Sequence, residues 1–151
     1  MALAIRWELG GDWGGYNSTD EETHHALARW SADCAEHVLS YFETEHPDDD
    51  RPRRAIEATR GWTRGEVTVG EAVELSRATH AAAREANTEV ARQAARAAGH
   101  AIATAHVDGH AMGGANYAIT AVVADGGSGD AEFEWQREQL PEGLQSVVRG
   151  E

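Results

Sequence analysis

Eight histidines stand in this chain, at positions 24, 25, 37, 46, 80, 100, 106 and 110. Imidazole binds metals and moves protons near neutral pH, so their spacing is the first place to look for chemistry. His106 and His110 stand four apart, and His100 lies six residues before His106. On one unbroken helix the pair would share a face, and Asp108 would add an oxygen donor. Gly109 argues the other way, because Asp108-Gly109 reads as a helix break. The carboxylate base that sits between paired histidines in a helical zinc motif is missing. The simpler reading puts these histidines near a helix C-terminus, where a cation is favoured. The chemical reading makes His80, His100, His106 and His110 the lining of a cleft for a small molecule or metal.

The lone cysteine is the second candidate. Cys34 lies between Asp33 and His37, close enough in sequence to touch the imidazole. A nucleophilic cysteine needs a nearby histidine and a site that stabilises thiolate. Cys34, however, is in register with Trp30 and Val38, on the stripe that faces a core. It reads as a buried structural cysteine. No Ser-His-Asp elbow, phosphate-binding glycine loop or dinucleotide fingerprint is present. With no lysine in the chain, Schiff-base chemistry is excluded. These observations favour binding over turnover and imply no cofactor.

The third candidate is the charged run Asp48-Asp49-Asp50-Arg51, continued by Arg53 and Arg54. It is read either as a solvated turn with local ion pairs or as a surface for a partner. Trp7 and Trp13 lie in a glycine-rich stretch with no evident core to join, so they are candidates for a dimer or partner contact. Trp30 and Trp62 sit on periodic apolar faces and are expected to be buried.

The elements that must position these groups are helices. Residues 1–17 read as an irregular arm, and 18–151 as a single helical domain. Asp20 or Thr19 caps a helix carrying Leu27, Trp30, Cys34, Val38, Leu39 and Phe42 at helical spacing. Pro47 stops it. The second helix begins near Pro52 and ends near Gly65. Thr68 and Glu71 have capping-box spacing and open a third, running to about Ala86. A fourth, alanine-rich helix is expected over Glu89–Val107, and a fifth from about His110 to Ala124, loosened by Gly113-Gly114. Asp130 caps a short sixth helix with Phe133 and Trp135. A last segment after Pro141 carries Leu144, Val147 and Val148. No stretch alternates as a strand does. The expected fold is all-α, a bundle of about five to six helices.

Composition bounds the partners. There are 26 acidic against 13 basic residues, a net charge of −13. That balance argues against nucleic acid and against an anionic membrane surface, and suits a basic protein. One cysteine excludes an internal disulfide. No apolar run approaches a membrane span, and no signal-peptide core follows Met1, so a cytoplasmic location is expected. Leu, Ile, Val and Phe supply only 23 of 151 residues, a level that leans toward disorder. Against that stand 28 alanines and ten Trp, Tyr and Phe residues, which allow closely packed helices.

Several segments resemble a known family. They include Trp30-Ser31-Ala32-Asp33-Cys34-Ala35-Glu36-His37-Val38-Leu39, Pro47-Asp48-Asp49-Asp50-Arg51-Pro52-Arg53-Arg54, Arg60-Gly61-Trp62, and Ala94-Ala95-Arg96-Ala97-Ala98-Gly99-His100. Together they are similar to the immunity-protein-5-like helical domain of bacterial polymorphic-toxin systems, over roughly residues 22–148. The resemblance implies an all-helical cytoplasmic protein that binds and neutralises a cognate toxin. It transfers no catalytic residue. The contacts expected for the partner, a basic toxin, are Asp48, Asp49, Asp50, Arg51, Arg53, Arg54 and Trp13. The alternative is a ligand- or metal-binding protein, an enzyme included, using the four histidines. A self-associating module, such as a homodimer built on the aromatic arm, is a third reading.

Overall fold

Helix starts follow from local chemistry. The Asp20 carboxylate accepts from Thr23 N–H, and Glu21 and Glu22 occupy the first turn, where the helix dipole favours anions. This opens α1, Glu21–Glu45. Pro52 stands in the first turn of α2, Arg51–Thr63, where its missing N–H costs nothing. The Thr68–Glu71 capping box opens α3, Val69–Glu85. Thr88 Oγ1 accepts from Ala91 N–H at the start of α4, Glu89–Ala103. Then come α5, His110–Ala124, and α6, Gly129–Gln139. The computed structural model describes residues 3–9 and 19–151. It is an all-α bundle, as expected.

Two boundaries differ from the sequence reading. α4 ends at Ala103 rather than Val107, because Ala105 N–H and His106 N–H turn back to Ile102 and Ala103 carbonyls and tighten the last turn. The cap of α6 is Ser128, whose hydroxyl accepts from Ala131 N–H, and Asp130 instead pairs with Arg6 at 3.0 Å. A small sheet also exists. β1, Trp7–Leu9, pairs antiparallel with β2, Val148–Gly150, with Trp7 opposite Gly150. Three-residue strands are too short to show alternation in sequence. The glycine-rich stretch 10–18, with Trp13, lies outside the described residues.

α4 runs through the middle, packed against α1, α2, α3 and α5. Its Ala91, Ala94, Ala95, Ala97, Ala98 and Ala101 are wholly buried. Small side chains on a helix surrounded on all sides let the neighbours approach closely. The glycines of α5 extend this. A Cβ on Gly114 would lie 2.0 Å from Ser31 Oγ of α1, and one on Gly113 would lie 2.6 Å from the His100 ring of α4. These glycines therefore do not loosen α5, which is continuous. They allow it to seat against α1 and α4. Among the described residues no helix is long and apolar enough to cross a membrane.

Candidate functional site

The charged turn between α1 and α2 divides in two. Asp49 accepts from Arg51 Nε at 2.9 Å and from Arg51 N–H at 3.1 Å. Arg51 also pairs with Glu85 of α3, and Arg53 forks onto Glu43 of α1 with both bonds at 2.7 Å. The Arg51 guanidinium holds the Asp49 carboxyl below its ordinary range. Asp50 sits at the N-cap without a side-chain cap bond. Asp48, Asp50 and Arg54 are exposed and make no side-chain hydrogen bond or ion pair among the described residues.

Around Cys34 the sequence neighbours separate. Asp33 and Glu36 both grip Arg60 of α2. His37 Nδ1 lies 2.8 Å from Glu132 of α6, and the His37 ring stacks on Trp135, centroids 3.5 Å apart and planes at 10°. Burial pushes the Glu132 carboxyl up despite that imidazole. Cys34 is fully buried, and burial raises its thiol well above the ordinary value. It is the structural cysteine its register implied.

The second-half histidines do meet. His80 of α3, His100 of α4 and His110 of α5 surround a cleft of about 270 Å³, with His106 at its edge. Val73, Ser76, Arg77 and Ala103 complete the wall. His80 and His100 ring centroids are 5.2 Å apart, and His100 and His110 are 5.4 Å apart. His100 also stacks on Tyr117. Gly99 and Gly113 make the room, since a Cβ on either would lie 2.6 Å from an imidazole. Burial, then the Arg96 and Arg84 charges, brings His80 down to about 4. Burial and the neighbouring His80, His110 and Arg96 bring His100 down to about 3. The imidazoles are thus neutral at pH 7. Among the described residues no three His, Cys, Asp or Glu side chains are grouped to hold a metal. The Gly109 break is real, so His106 and His110 do not share a helix face.

The family model of the Imm-5 like putative immunity protein matches residues 17–143. The chain belongs to that family. No curated protein and no solved structure matches it. The matched span holds the charged turn and the histidine cleft, and stops short of both strands.

Those strands form a clasp that sequence reasoning missed. Trp7, expected to find no core, is buried at 3 % exposure. Asn116 Oδ1 accepts from the N–H groups of Arg6 and Trp7, and Asn116 Nδ2 donates to Trp7 O. Trp7 Nε1 donates to Gln136 Oε1 at 2.7 Å, and Gln136 Nε2 donates to Ala115 O. The Trp7 ring meets Trp30 edge-on. Trp30 is buried as expected, whereas Trp62 is only partly buried, flanked by His24 and His25. The available signal was chemical: a buried Asn and Gln on apolar helix faces must have partners, and those partners were not assigned.

Proposed function

We propose that the protein is an immunity protein that binds a cognate toxin and occludes it, without catalysis. Family membership carries this reading. The net charge of −13 supports a basic toxin, steered by complementary fields. On this reading the exposed Asp48, Asp50 and Arg54 meet the toxin, while Asp49, Arg51 and Arg53 keep the turn rigid through their own ion pairs. Trp13 is the proposed aromatic contact. Self-association is a separate matter, read from the mass of the free protein in solution.

The test uses the product of the neighbouring gene, taken as the candidate toxin. Co-expression should relieve its toxicity, and the two should form a stable complex. Association should slow steeply between low salt and about 0.5 M salt as the screening length shortens, with little change in dissociation. Replacing Asp48, Asp50 and Arg54 together should weaken the complex and leave the fold intact. Unrelieved toxicity with no complex would refute the reading.

A further inference from the structure

The histidine cleft has no part in toxin occlusion as proposed above, and its chemistry is unusual. Arg96 donates to His80 Nδ1 at 2.8 Å. Arginine has no acceptor, so the His80 proton must sit on Nε2. That Nε2–H, and both ring nitrogens of His100 and of His110, have no hydrogen-bond partner among the described residues. Buried polar atoms are normally satisfied. Of these ring nitrogens His100 Nδ1 is the one buried without a partner, and together with the other four it is unused binding capacity beside one cleft.

The surroundings decide which ligand suits them. Among the described residues the nitrogens are not grouped for a metal, and no carboxylate lines the wall. The flanking charges are guanidinium groups: Arg77 at the rim, Arg84 along α3 and Arg96 from α4. Arg77 pairs with Glu74 at 3.0 Å. α5 brings His110 to the cleft and stacks Tyr117 on His100, and the turn before it brings His106. A cation would face arginines. An anion would face donors.

We propose that the cleft between α3, α4 and α5 binds a small oxyanion, a carboxylate or a phosphate, through His80, His100, His110 and Arg77. Its volume is at the small end of ligand pockets, which suits a small ligand rather than a nucleotide cofactor. Burial and the arginines keep the His80 and His100 imidazoles neutral. A bound anion opposes both effects, so an imidazole takes up a proton and becomes a charge-assisted donor. The bound-state pKa is then above the free-state one. Affinity therefore rises as pH falls between them, by up to about tenfold per unit for each proton taken up.

The probes are succinate and inorganic phosphate, titrated calorimetrically into protein without a histidine tag, at about pH 5.5 and pH 7.5 and in buffers of different ionisation heat. One site per chain is expected, with net proton uptake and binding at least about tenfold tighter at the lower pH. The ring signals of His80, His100 and His110 should shift in NMR spectra. Preference between the two probes distinguishes a carboxylate from a phosphoryl ligand. His80→Phe should weaken binding at least about tenfold while helical circular dichroism is retained. Should H80F fail to fold, His110→Phe, in the first turn of α5, carries the same test. Unmoved ring signals with both probes, or equal binding to a folded H80F or H110F, would overturn the proposal. So would stoichiometric zinc uptake by these histidines without any response to the anions.

Discussion

Gly114→Ala tests how closely the helices approach. The added Cβ would lie 2.0 Å from Ser31 Oγ and 3.5 Å from Ala97 O. Ser31 is wholly buried, and its hydroxyl donates to Ala111 O at 3.0 Å, so it cannot swing aside freely. Overpacking of this kind costs about 3 kcal/mol, and the better helix propensity of alanine returns about 1. The net loss is about 2 kcal/mol, or a fall in Tm of about 4–8 °C for a chain of this size. Ser31→Ala alone should lose one buried hydrogen bond, about 1 kcal/mol. In the double variant the oxygen is gone, and the nearest Ser31 atom left is Cβ, 3.3 Å away. Independent effects would sum to about 3 kcal/mol, whereas the relieved clash should leave about 1, a coupling of about 2 kcal/mol. Urea unfolding of all four proteins measures the cycle. Effects that add to within about 0.5 kcal/mol would refute the close seating of α5 on α1.

Asn116→Leu should cost about 2–4 kcal/mol by stranding the backbone groups of Arg6 and Trp7, and should speed hydrogen exchange at the Trp7 amide. Asp50→Ala should change stability by less than about 0.5 kcal/mol, whereas Asp49→Ala should cost about 1 through its bonds to Arg51; urea midpoints distinguish them. Stability should fall on acidification below pH 6.5, because the unfolded chain protonates histidines that the fold keeps neutral. His100, about 3 folded against 6.5 unfolded, accounts for about 1 kcal/mol between pH 7 and pH 5.5, and the more exposed His80 for less. A urea midpoint unchanged over that range would contradict the buried imidazoles. Cys34 should resist thiol reagents in the native protein and react at once in denaturant.

Helices were legible where local chemistry marks them. The Thr68–Glu71 capping box, Asp20 at the head of α1 and the Gly109 break each act within a few residues, and each is where the sequence puts it. Trp30 and Cys34 were legible through their shared stripe. Trp7 was not, because its slot is made by Trp30, Phe133 and Gln136, which only tertiary folding brings to it. Trp62 misled because periodicity reports a face and not the depth to which that face is covered. The histidines were legible as a group but not as a geometry. Seating His80 and His100 side by side depends on Gly99 and Gly113, whose role as clearance is invisible until the helices are packed. The charged turn reads as one cluster in sequence and becomes two populations in space.

The Trp7 clasp also bears on the order in which the chain matures on the ribosome. Its indole hydrogen bond joins residues 129 apart, and its backbone clip to Asn116 joins residues 109 apart. Chains emerge at about 5–20 residues per second, so Trp7 waits several seconds, without its slot, after it has left the exit tunnel. The α1–α4 contacts can form meanwhile, since they need no residue beyond 103. Closure of the clasp then follows the packing of α1–α4. Until its slot forms, the nascent protein shows chaperones an unsheltered tryptophan.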